Sequence, residues 1–136
     1  GKAHNSLQLD QPGIRYLGNV PFADVPYALA ASDVLAIPYR RSPFMDAGAS
    51  NKIAEAMACQ RPIVATRSPN LTANFPQQAQ ELEPYLAESS QPSSLATVLA
   101  QQLLDRKLVA APQNIYWSGI TSTLEQDLKR LNHDPA

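Results

Sequence analysis

The chain has 136 residues, 44% of them hydrophobic and 17% charged, with 11 Lys and Arg against 12 Asp and Glu, 12 Pro, 5 Gly and a single Cys. These numbers suit one compact domain, and the formal charge of -1 leaves no global positive field to draw in nucleic acid. Cys59 has no disulfide partner, two widely separated histidines and one thiol cannot close a zinc site, and no apolar run reaches the roughly 20 residues that span a bilayer.

After a polar start, Ile14, Tyr16 and Leu17 form a short apolar segment closed by Gly18-Asn19, which predicts a strand. Asp24 is placed to cap a helix with Pro26 in its first turn, ended by Ser32-Asp33. Val34 to Ile37 is a continuous apolar run closed by Pro38, the pattern of a parallel strand buried on both faces. Residues 39–49 carry turn formers and predict a loop, after which Ser50 caps a helix running to about Cys59. Pro62 to Ala65 predicts a second buried strand ending at Thr66.

Alternating strands and helices with short links predict an α/β domain, a Rossmann-like parallel sheet with flanking helices, occupying residues 1–136 as a single domain. The later half is richer in Gln, Ser and Leu. Leu95, Val98, Leu99 and Leu103 share one helical face, and Trp117, Ile120, Leu124, Leu128 and Leu131 make a stripe with steps of three and four. Both are expected to face the core, the latter in a C-terminal helix over 112–131. Residues 80–88 are ambiguous and allow a short edge strand interrupted at Pro84.

Ligands of open parallel sheets bind outside the carboxyl ends of the strands, so the loops after Ile37 and Ala65 come first. Between Tyr39 and Lys52, the basic Arg40, Arg41 and Lys52 face only Asp46, and an anionic ligand is expected. Gly48, Ala49, Ser50, Asn51 and Lys52 lead into a helix N-terminus, where unpaired N–H groups and the dipole favour phosphate. Gly48 would admit a close approach, Ser50 could donate its hydroxyl and Lys52 could add a charge, although the Walker pattern is absent and small residues before a helix are also ordinary capping chemistry.

Glu55 lies beyond the third helical position, Ile53, so a capping box is not its role. A solvated pair with Lys52 is the plain alternative to accepting hydrogen bonds from ligand hydroxyls. Ile53 and Met57 should point to the core. His4 and His133 near the termini make poor general bases, Cys59 reads as an inert buried thiol, and Asp24 and Asp33 read as helix boundary residues.

The run Ile14 to Leu71, with YLGNVP before a helix, ASDVLAIPYR and SNKIAEAMACQRPIVAT, resembles the C-terminal domain of group 1 glycosyltransferases of the GT-B fold. The Leu-rich helix and the last helix opened by Tyr116-Trp117 resemble that domain more loosely. The resemblance implies a nucleotide-sugar donor site in a cleft shared with an N-terminal acceptor domain, and retaining transfer to a glycan or lipid-linked acceptor, as in polysaccharide biosynthesis. The lone thiol of Cys59 reads as a reduced cytoplasmic setting, peripheral contact at the inner face of the membrane is a further expectation, and the resemblance implies neither a metal nor a cofactor. Glu55 matches the second Glu of the family's Glu, seven residues, Glu motif, which holds the donor ribose. Ser50, Asn51 and Lys52 match the helix start that meets the diphosphate. Pro38, Tyr39 and Arg40 match the loop near the base, and Thr66 opens the next donor-side loop. Lys52, Glu55 and Arg40, with Arg41 in support, are thus the residues expected to carry catalysis.

Ala47 and Asp46 stand where the first Glu would fall, as in a branch of the family with a Lys and a single Glu, and Arg67-Ser68-Pro69-Asn70 stand where paired glycines are frequent. Gln60 replaces a frequent Gly in the left-handed helix cap. The family's preceding strand-helix-strand unit is not visible before Ile14, so the resemblance implies a portion of a longer enzyme, inactive alone. A non-catalytic interaction module of the same ancestry is the alternative, and a nicotinamide-binding half-domain ranks below both because no GxGxxG follows a strand.

Overall fold

The computed structural model describes residues 11–48 and 50–133, excluding the side chains of residues 117 and 131–133. In chain order it comprises α1 (Val25–Ala30), β1 (Leu35–Ile37), α2 (Pro43–Ala47), α3 (Asn51–Ala58), β2 (Ile63–Thr66), α4 (Pro69–Thr72), α5 (Pro76–Glu81), β3 (Leu86–Ala87), α6 (Pro92–Asp105) and α7 (Trp117–His133). The strands form a three-stranded, all-parallel sheet in the order β1-β2-β3, with Ile37 opposite Ala65 and Thr66 opposite Ala87. This is the expected α/β class, a Rossmann-like parallel sheet with helical cover.

β2 is central and buried at every position, because neighbours pair with both its edges and α3 and α6 pack against it. Ser50 ends the approach to α3 by accepting the Ile53 N–H on its hydroxyl, 3.3 Å away, and this fixes which face turns inward. Ile53, Ala56 and Met57 then fall one helical turn apart and are buried, as the sequence spacing predicts. At the other end Gln60 sits at φ 52, the left-handed position that a Cβ disfavours. Gln60→Gly should therefore stabilise the domain by about 1 kcal/mol and raise Tm by roughly 3 °C, readable by thermal denaturation.

Several elements differ from expectation. The 14–17 segment is not a strand: Ile14, Tyr16 and Leu17 are about half exposed and have no pairing strand among the described residues. A strand's backbone is satisfied by its neighbour, so the apolar residues alone do not make one. β1 is an edge strand with Ala36 exposed and only Ile37 buried, so it is not covered on both faces. Residues 39–49 are not all loop, because Ser42 accepts the Met45 N–H at 3.2 Å and Pro43 supplies a preset first turn, which together start α2. Asp24 precedes α1 without a side-chain cap bond. Pro84 lies in a 3-10 turn, Glu83–Tyr85, and the edge strand β3 begins only after it.

In α6 the buried polar residue is Gln102, fully covered, while Leu103 is 46% exposed, so the inward face is Leu95, Val98, Leu99 and Gln102. Gln101 and then Tyr85 donate to Asp105 and hold its carboxyl below the ordinary range, while the same contact raises the Tyr85 hydroxyl. The C-terminal helix begins at Trp117 rather than 112, because Pro112 leads into a 3-10 turn, Gln113–Ile115. Gly119 lies against that turn so closely that a Cβ would overlap the Gln113 carbonyl. The stripe on α7 is not core: Ile120, Leu124 and Leu128 are exposed, Leu124 by 57%. Cys59, expected to be buried, is half-buried at the end of α3.

Candidate functional site

Because all three strands run parallel, Pro38, Thr66 and Glu88 emerge at one edge of the sheet. Two adjoining cavities open there. One, of about 290 Å³, is lined by Pro38, Tyr39, Arg40 and Thr66 and closed by Glu88 to Pro92 at the start of α6. The other, of about 480 Å³, lies over the start of α3 between Gly48, Ser50, Asn51, Lys52 and the residues Met45 and Asn70. Tyr39 is a wall of both, and its hydroxyl lies 3.0 Å from Ser50 Oγ.

The expected anion-binding residues divide into two sets. Arg40 and Lys52 are exposed, and neither side chain forms a hydrogen bond or ion pair with any described residue. Arg41 is instead held by Asp46, with Nε 2.8 and 2.9 Å from the two carboxylate oxygens. The local excess of positive charge therefore rests on Arg40 and Lys52. Glu55 is exposed one turn beyond Lys52 and lines neither cavity, and the solvated Lys52–Glu55 pair is not formed.

Ser50 is buried, and its hydroxyl is occupied by the Ile53 N–H and Tyr39, so it shapes the helix start instead of facing the cavity as a free donor. A Cβ at Gly48 would meet Asn70 Nδ2 at an ordinary 3.6 Å, so no close backbone approach demands glycine there. Ala49 and His4 lie outside the described residues, as does the His133 side chain. Among the described residues, no group of three or more His, Cys, Asp or Glu is arranged to hold a metal, and no helix is long and apolar enough to cross a membrane.

Sequence reasoning did not anticipate two contributions. Asn70 and Asn74 reach back from the segment after β2 and donate to the Met45 and Gly48 carbonyls at 2.9 and 3.2 Å, which ties α2 and the approach to α3 in place. Glu88, Ser90 and Gln91 line the first cavity just after β3, which falls within the 80–88 segment where the sequence allows a short edge strand.

Compared with known protein families, residues 1–105 match the family described as Glycosyl transferases group 1. The chain belongs to this family. No curated protein and no solved structure matches it. The family match in this group 1 glycosyltransferase chain covers the sheet and both cavities and stops at Asp105, the last residue of α6, so α7 lies beyond it.

Proposed function

We propose that the chain is the donor-binding part of a retaining glycosyltransferase, which takes a nucleotide-diphosphate sugar and passes the sugar to a glycan or lipid-linked acceptor. The observation that carries this is two cations whose side chains have no partner among the described residues, Lys52 on the cavity over the capped N-terminus of α3 and Arg40 on the adjoining cavity. Free cationic groups, helix N–H groups and a concave floor are the parts a diphosphate needs. In this reading the diphosphate lies over Asn51 and Lys52, the base enters the smaller cavity beside Tyr39, Arg40 and Thr66, and Glu55 accepts from the ribose hydroxyls. Catalysis consists of positioning the donor and stabilising the departing diphosphate with Lys52, Arg40 and the helix start.

The remaining parts of the proposal rest on the same family membership. The chain acts as one domain, GT-B in type, alongside an N-terminal acceptor domain, in the cytoplasm and in reach of the inner membrane face. Ala47, where the family motif has Glu, favours a second reading, a binding module that has lost turnover.

An NMR titration with UDP, GDP, ADP and their sugar conjugates, following amides 48–55, tests the donor site. Selective shifts are expected for one base, and their absence with every nucleotide would sink the assignment. Glu55→Ala should weaken the bound sugar nucleotide about tenfold with folding unchanged, since the side chain is exposed. Unaltered affinity would remove Glu55 from the site.

A further inference from the structure

We propose that Asn70 is the residue that reads the sugar of the donor. The inference rests on the donor site proposed above and concerns a position that the Glu, seven residues, Glu motif does not include.

Asn70 is 3% exposed and forms part of the wall of the larger cavity, beside Gly48 and Lys52. Its Nδ2 donates to the Met45 carbonyl at 2.9 Å, and that bond fixes the amide orientation, because a carbonyl oxygen turned toward Met45 O could not donate. The orientation leaves Oδ1 buried without a partner, and one Nδ2 hydrogen is uncommitted. A buried amide with both an acceptor and a donor unspent is costly in a protein interior and fits a group that can donate and accept together. A sugar hydroxyl does both, whereas a fully ionised phosphate oxygen only accepts.

Ala47 cannot supply that recognition, since its side chain has no polar atom, and it faces the same cavity. Asn70 shares this wall with the neutral Asn51, Ser50 and Tyr39, and differs from them in carrying a buried acceptor without a partner. Oδ1 is covered in this state, so a hydroxyl that reaches it must displace the end of α2, exposed at Ala47 and half-buried at Gly48, and break the Asn74 bond to the Gly48 carbonyl.

The test compares each nucleoside diphosphate with its sugar conjugate on the 136-residue chain, using UDP with UDP-glucose, GDP with GDP-mannose and ADP with ADP-glucose. Asn70→Leu, close in size but apolar, should leave diphosphate affinity within about twofold and lower sugar-conjugate affinity about tenfold. Equal losses for both ligands would mean that Asn70 only holds α2, and the proposal would fall. Should the variant not fold, the side-chain amide resonances of Asn70 in the unsubstituted chain decide: they should shift with the sugar conjugate and not with the diphosphate. Backbone shifts at 48–55 with a silent Asn70 amide would overturn the sugar assignment while leaving the donor site intact. No shift with any nucleotide would overturn both.

Discussion

Lys52→Ala should lower affinity for the sugar nucleotide by about 2 kcal/mol, roughly thirtyfold, and leave Tm within about 2 °C. The asymmetry follows from its surroundings. Lys52 is exposed at the second position of α3 and its side chain forms no hydrogen bond or ion pair with any described residue, so its removal breaks none of these. A diphosphate over the helix start would lose a charge-assisted contact where the dipole already favours it. Arg41→Ala should weaken binding much less, because the Arg41 guanidinium is already occupied by Asp46. Calorimetric titration of both variants separates them, and equal effects would show that a diffuse field acts instead of a defined cradle. The Lys52 contribution should also shrink as salt rises.

Gln102→Leu should destabilise the domain by about 3 kcal/mol and lower Tm by roughly 10 °C, although it exchanges a polar residue for an apolar one inside the protein. Gln102 Nε2 donates to Ile63 O at 2.9 Å and to Lys107 O at 3.2 Å, while its Oε1 accepts the Lys107 N–H at 2.9 Å. Leucine would leave these backbone groups without partners, each costing about 1–3 kcal/mol where it stays buried, partly offset by the apolar gain. The neighbouring Leu103→Ala should cost under about 1 kcal/mol, since Leu103 is largely solvated. Chemical denaturation of the two variants checks the contrast, and a stable Gln102→Leu chain would refute it.

That pair also explains how far the fold could be read from the chain. α3 and β2 were legible because local signals agreed: Ser50 caps, Ile53 and Met57 share a face, and Ile63 to Thr66 is an uninterrupted strand former run. Gln102 was not, because its value lies in carbonyls of Ile63 and the turn at Lys107 that only the folded chain brings near. α2 was hidden because Ser42-Pro43 serves equally as a turn and as a helix start, and the Asn70 contact to Met45 that supports it spans 25 residues. The regular stripe on α7 has the spacing of a core helix, yet periodicity says only that a helix has an apolar face and not what covers it.

The site was legible to the same degree. Lys52 at a helix start is a local fact, and its side chain has no partner among the described residues. The equivalence of Arg40 and Arg41 was broken by Asp46, whose approach depends on the turn of α2. Asn70 carried only the signal of an unusual residue after a buried strand, and its unspent amide became visible with burial and partners in hand.

The contact between Tyr39 and Ser50 makes the two cavities mechanically interdependent. One hydroxyl, that of Ser50, both terminates α3 and anchors the ring that divides the space, so a ligand that displaces Tyr39 also disturbs the amide of Ile53 at the first turn. A displacement of Tyr39 would thereby reach the helix start, and a substitution at Tyr39 would reshape the wall of both chambers at once.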